Sequence, residues 1–285
     1  MRPLPDEAAG ASEPTSTAPA ERVHREAEAE AGRPPRAARR LRTLGALALD
    51  GMDFEHRKPL LFLTYLALEG PQRRAHVARL FWPRSRDARN RLSVTLSRLR
   101  GTLPGVVRAD GEQIASHLGT DVALLSRLLD RDRVEWAVRI YRGPFLDGVD
   151  EADTGEELAE WMLATRDALS HRLQVACLRA GARAAAAGRF YDGAARVEAG
   201  RRVSGAVALD ADDVRLAHTL LVAGGSPMVE TLERDAAALG LTLARDRAGA
   251  RATLRAPAAR KVRHNLRVRA TSFVGRDAER ALLDG

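Results

Sequence analysis

The sequence predicts a mainly α fold in two parts: a three-helix unit with a small β-sheet and a hairpin, then an all-α domain. Three observations carry this. Apolar residues recur at helical spacing through most of residues 59–239. Strand-like stretches cluster near residues 41–51 and 106–114, each with an Asp-Gly turn dipeptide, Asp50-Gly51 and Asp110-Gly111. Positive charge gathers in that same region: residues 39–115 hold 15 basic and 7 acidic side chains, a surplus of +8 that equals the net charge of the whole chain.

A chain of 285 residues with 45% hydrophobic content is long enough for two ordinary domains with their own cores. No stretch approaches the ~18 apolar residues of a membrane span. Residues 1–32 also lack the apolar region of a secretory signal. A cytoplasmic protein with no membrane contact is therefore expected. The single cysteine, Cys177, excludes an intramolecular disulfide and a Cys-rich zinc site, and its apolar helical setting marks it as a small core residue.

Residues 1–38 contain Pro, Ala, Glu and Ser without apolar periodicity, and a disordered leader is expected there. Leu41–Leu44 and Ala46–Leu49 then predict a small sheet. Pro59 suits a first helical turn, the apolar run Leu60–Leu68 is internal, and Gly70 is a stop. A second helix is predicted over Arg74–Phe81, ended by the extended preference of Trp82 before Pro83. A third starts near Ser85 or Asp87, either of which can cap it, and carries the stripe Leu92, Leu96, Leu99 and Leu103. Helix, short turn, helix, loop, helix outlines a helix-turn-helix, and the hairpin predicted around Asp110-Gly111 is a wing. The winged helix-turn-helix domain is thus placed at residues 39–118.

Beyond it, Thr120 or Asp121 caps a helix bearing Val122, Leu125 and Leu128, and the remainder reads as helical. Glu156–Ala187 is the longest such pattern, interrupted at Gly181. Further helices are predicted over Gly193–Val203, Ala211–Ala223 and Pro227–Leu239, the last with Ser226 as cap. Gly188-Arg189-Phe190 followed by Ala194 has the small-aromatic-small spacing of a tetratricopeptide repeat. A tetratricopeptide-like all-α domain is therefore placed at residues 119–245, with a linker and a further segment over 246–285.

The localised charge is the electrostatic footprint of a polyanion binder, and double-stranded DNA is the expected partner. On the third helix, burying the leucine stripe turns Asn90, Val94, Ser97 and Arg98 outward, with Arg91 and Ser93 on the shoulders. Asn pairs with adenine, Arg with guanine, Ser with either, and Val touches a thymine methyl, so these six are the base-reading candidates. Arg73, Arg74, Arg84, Arg86 and Arg108, in the first turns and the wing, are the phosphate candidates. Enzyme chemistry is not indicated. The chain has no Gly-x-Ser-x-Gly elbow, no His pair at metal spacing and no carboxylate dyad. No catalytic residue, metal or cofactor is expected, and His76 and His117 read as surface or DNA-proximal side chains. The alternative function is a helical adaptor that binds an acidic protein partner.

Two motif blocks carry a resemblance. Leu60–Leu68, Leu80-Phe81-Trp82-Pro83, Arg91-Leu92 and Leu96-Ser97-Arg98-Leu99-Arg100 resemble the DNA-binding domain of the Streptomyces antibiotic regulatory protein family. Ile140-Tyr141-Arg142-Gly143-Pro144-Phe145-Leu146, with Trp161 and Arg166, is similar to that family's bacterial transcriptional activator domain. The resemblance covers residues 41–245. It implies a transcriptional activator that binds promoter direct repeats as a pair of monomers, a homodimer on DNA, and contacts RNA polymerase holoenzyme. The chain departs from the family at Arg73, which stands where a Ser or Thr cap is usual. Ser272-Phe273-Val274-Gly275-Arg276 resembles the opening of the ATPase domain that follows in larger regulators, but neither Lys58 nor Lys261 forms the Gly-Lys pair of a phosphate-binding loop.

Overall fold

The computed structural model describes residues 40–52, 57–150 and 154–255. The expected leader and the ATPase-like segment lie outside them. The chain is mainly helical, 62% helix, with a small complement of β-structure. Among the described residues there are ten helices and six short strands.

The strands form two three-stranded sheets. In the first, β1 (Arg40–Arg42) pairs antiparallel with β2 (Ala48–Leu49) and parallel with β6 (Gly119–Thr120). In the second, β5 (Gln113–Ser116) lies between β4 (Val107–Asp110) and β3 (Gln72–Arg73), antiparallel to both. Gly111 and Glu112 form the hairpin loop, one residue later than the Asp-Gly dipeptide suggests. Gly111 has φ 52° at the first loop position, where a primed turn favours glycine.

Helix α1 (Arg57–Glu69) buries seven consecutive residues from Leu60 to Tyr65 and Leu66, so it is internal. It stops at Gly70, whose φ of 73° suits only glycine comfortably. Helix α2 (Arg74–Phe81) has the bounds its periodicity predicts. Helix α3 (Ala88–Thr102) begins after Asp87, but neither expected cap acts as one: Asp87 makes no capping bond, and the Ser85 hydroxyl accepts from the Asp87 N–H at 3.3 Å.

Helix α4 (Asp121–Asp130) is capped by Thr120, whose Oγ1 accepts from the Ala123 N–H at 3.0 Å. The Asp121 carboxylate beside it turns back to the first sheet. It accepts from the backbone N–H groups of Thr43 and Leu44 at 2.9 Å, from the Thr43 hydroxyl at 2.6 Å, and from the Val122 N–H at 3.0 Å. After α5 (Val134–Ile140) the chain returns to the same place: Leu146 N–H donates to the Thr43 carbonyl at 2.8 Å and Gly45 N–H to the Pro144 carbonyl at 2.9 Å. The close approach is possible because both faces are glycine, since a Cβ on Gly143 would sit 3.2 Å from Gly45 Cα. The 140–146 block is therefore a strap onto the N-terminal sheet.

Helix α6 (Glu156–Ala186) runs unbroken through Gly181. Gly181 marks a helix crossing, not an interruption: a Cβ there would lie 2.8 Å from the Gly193 carbonyl of α7 (Phe190–Arg201). Helices α8 (Ala211–Gly224) and α9 (Val229–Ala238) continue the array. Ser226 caps a turn at the Met228 N–H, not the first turn of α9, which starts two residues later than expected. Residues assigned to the linker form α10 (Arg247–Arg255), where Arg251 and Arg255 lie over the Phe190 ring.

Two apolar cores result. The first joins Leu41, the leucines of α1–α3, Val122 and Phe145 to Leu158, Met162 and Leu173 of α6. It therefore crosses residue 118 without a break. The second lies among α6–α9, around Phe190, Leu220, Leu221 and Leu232. His218 is buried within it, its Nε2 3.0 Å from Glu233 Oε1.

Removing the Asp121 carboxylate would leave two backbone N–H groups at the end of β1 without their acceptor, and hydrogen bonds to a charged group are each worth about 1.5–3 kcal/mol. Asp121→Ala is expected to lower stability by about 3 kcal/mol in urea unfolding of the whole chain. A loss under about 0.5 kcal/mol, the usual scale of a surface substitution, would show that the tie is unimportant.

Cys177 is 1% exposed, and burial pushes its thiol up to about 11. A raised thiol value means that the reactive thiolate is scarce below it. Native protein at a pH of about 8 should therefore resist thiol-specific labelling until urea unfolds it. Rapid labelling of the folded chain would contradict this.

Candidate nucleic-acid interface

The sheet that holds the hairpin also holds the start of α2. Arg73, the N-cap of α2, offers no side-chain cap. The hairpin supplies a substitute, because the Glu112 carbonyl accepts from the Arg74 N–H at 2.7 Å. The hairpin loop and the first turn of α2 are thus one hydrogen-bonded unit.

Strand register sorts its side chains. Arg73 pairs with Gln113, Gln113 with Asp110, and Arg108 with Ala115. Partners in register share a face and alternate residues do too, so Arg73 and Arg108 lie on one face of the sheet, with Gln113 and Ala115 of the central strand between them and Asp110 two residues along from Arg108. Ile114 and Val107 occupy the other face, toward the core.

Helix α3 is divided sharply. Leu92, Leu96 and Leu99 are at most 2% exposed, and Leu103 just beyond its end is equally buried. Asn90, Arg91, Ser93, Val94, Ser97 and Arg98 are all exposed. Val94 is 44% exposed, an unusual degree for a large apolar side chain in this chain. Its placement on a polar face has no packing explanation among the described residues.

Internal bonding limits what Ser93 can do. Its hydroxyl donates to the Arg89 carbonyl at 3.1 Å, and an Arg74 guanidinium nitrogen lies 3.5 Å from the same oxygen. Ser93 is left as an acceptor, and Arg74 is drawn toward that shoulder of α3. On the other shoulder, Arg91 meets Arg84 in a shallow cleft beside Trp82 that also includes Lys58 and Ser85. Arg86 is exposed on the same loop but does not line that cleft.

Lys58 is the residue that sequence reasoning misses. It sits in the first turn of α1, far in sequence from α3, and only the packing of α1 on α2 brings its Nζ to 5.4 Å from the Trp82 ring centre. Its one available signal is that Lys58 is one of just two lysines in an arginine-rich chain. His76 is also relocated: it is half-buried, with Nε2 3.0 Å from the Tyr65 hydroxyl. Burial, aided by Glu69 and Glu157, raises Tyr65 to about 12, so this phenol stays protonated.

Comparison with protein-family models and with curated proteins gives no match. Among the described residues no group of three His, Cys, Asp or Glu side chains is placed to hold a metal ion, and no helix is long and apolar enough to cross a membrane.

Proposed function

We propose that this protein is a sequence-reading DNA-binding transcription regulator. In this reading β3–β5 and α1–α3 form a winged helix-turn-helix, and α6–α9 form a tetratricopeptide-like domain. One observation carries the proposal: α3 buries a full leucine stripe and exposes Asn90, Arg91, Ser93, Val94, Ser97 and Arg98 on the face opposite. Those are groups able to pair with base edges and to touch a thymine methyl in a major groove. The hydrogen-bonded hairpin, with Arg73 and Arg108 on one face, supports a role in holding phosphates beside that helix. The close crossing of Gly181 and Gly193 in antiparallel α6 and α7 supports the repeat-like reading of the second part.

The resemblance to the Streptomyces antibiotic regulatory protein family extends the proposal. The protein would activate transcription in the cytoplasm, bind promoter direct repeats as paired monomers, and contact RNA polymerase holoenzyme through its helical part. Gel shifts of the whole chain with duplex DNA, titrated with salt against competitor, test the foundation. Neutralising about six phosphates gives a log-log slope on the order of −5. A flat salt response would favour the adaptor reading, in which the basic surface meets an acidic protein.

Substitutions then separate reading from holding. On the preferred site, Asn90→Ala or Arg98→Ala should cost ~1–3 kcal/mol and relax discrimination at one base pair. Arg108→Ala should weaken binding to all sequences alike, as loss of a phosphate contact does. Equal losses on specific and random DNA for all three changes would remove α3 as the reading element.

A further inference from the structure

The C-terminal end of α8 meets three arginines of α10. The Leu221 and Val222 carbonyls accept from the backbone N–H groups of Ser226 and Gly225, whereas the Ala223 carbonyl accepts from side chains, Arg251 Nε at 2.9 Å and Arg247 Nε at 3.4 Å. This is the negative pole of the helix. The Phe190 ring lies beside it, with the Arg251 and Arg255 guanidinium groups 5.0 and 5.1 Å from its centre. Gly224 lets α8 end so close to α7, since a Cβ there would sit 2.7 Å from the Phe190 carbonyl oxygen. Gly225 does the same for Arg247, whose guanidinium would be 2.8 Å from a Cβ at that position. A free carbonyl at a negative helix end and an aromatic face together form a seat for guanidinium groups.

What fills the seat is held lightly. No residue of α10 is buried, and its apolar contribution is Ala250 and Leu254, partly covered at the margin of the second core. Its arginines recur every four residues, so three like charges line one face and oppose the helix when it stands alone. Its 9 residues are also too few for an isolated helix to persist in water. The helix therefore exists because the seat holds it. Before it, the chain is pinned: Arg245 Nε donates to Glu233 at 2.8 Å, and the Asp246 carboxylate accepts from the Gly249 N–H at 2.9 Å to start the first turn. A segment with a fixed root and few buried contacts is of the kind that opens locally, without the rest of the fold.

We propose that the end of α8 and the Phe190 ring form a recognition site for an arginine-bearing helix, which α10 occupies as a detachable cap. The partner that fits is a basic helical segment of another protein with arginines at the i, i+4 and i+8 spacing of Arg247, Arg251 and Arg255. Because Arg245 roots it, α10 faces the seat at an effective concentration on the order of millimolar, so a partner enters when the grip of α10 is loosened. The site is independent of the DNA-binding reading of α3.

The test uses the whole chain and a fluorescein-labelled peptide of residues 244–255. A staple between positions 248 and 252, both exposed in α10, keeps the peptide helical without touching the seat. By fluorescence anisotropy, a chain carrying Arg251→Gln with Arg255→Gln should bind this peptide several-fold more tightly than wild type, because its own α10 competes less well. A peptide with the same two changes should not bind it. Arg127→Gln on α4, an exposed residue away from the seat, should leave peptide binding at the wild-type level. Native-state hydrogen exchange of the wild-type chain needs no substitution: amides of α10 should exchange orders of magnitude faster than the buried amides of α8. No gain in peptide affinity in the double variant, or equal affinity for the peptide with and without its arginines, would overturn the recognition site. Exchange of α10 as slow as that of α8 would overturn the detachable cap.

Discussion

Trp161 holds the basic three-helix unit against the rest of the chain. Its ring packs edge-on to Tyr65 of α1 at 5.1 Å and to Phe145 of the strap at 5.6 Å, and its Nε1 donates to Glu69 at 2.7 Å. Tyr65 and Phe62 in turn meet Phe81 of α2 at 5.8 and 5.5 Å. The sequence has six Phe, three Tyr and three Trp, and five of these twelve form this one chain of contacts. Each edge-on pair adds about 0.5–1.5 kcal/mol to what burial alone provides. Because α6 continues from Trp161 into the second core, the orientation of α1–α3 is set by a helix that also organises the far end of the molecule.

That arrangement explains the backbone ties around Thr43. The Asp121 carboxylate, the Leu146 N–H and the parallel β1–β6 pairing all converge on the same short strand end. A two- or three-residue strand cannot hold itself in place by its own ladder. Here it is fixed by residues 119–121 and 144–147, which lie past the hairpin in sequence. A fragment ending at residue 118 would forfeit these ties along with Leu158, Met162 and Leu173 of the shared core. The three-helix unit and its hairpin are therefore a region of one folded body, whatever their separate role.

At the candidate interface the same logic operates on a smaller scale. Arg73 deprives α2 of a side-chain cap, and the Glu112 carbonyl fills the deficit. An orphan helix N–H thus becomes the link that fixes the hairpin beside α3. Such a link holds cationic side chains in place before a ligand arrives, which lowers the ordering cost of binding.

Much of this was legible from residue order. The leucine stripe of α3 appears at positions 92, 96 and 99 because helical periodicity reports directly which face avoids water, and its complement names the exposed candidates. The bounds of α2, the stop at Gly70 and the Thr120 cap were equally local, since each depends on backbone chemistry within a few residues. Periodicity does not say what a buried face packs against. It could not join Lys58 to Trp82, bring Gly143 onto Gly45, or explain Gly181 as a crossing point where an interruption was the local expectation. Nor could it show that hairpin and α2 share a hydrogen bond, or that one core passes through residue 118. Sequence determined which surfaces are apolar and where elements such as α2 begin and end, because those are short-range properties of the chain. Tertiary structure alone decided which surfaces meet, because contacts between residues distant in sequence depend on shape complementarity that no single segment encodes.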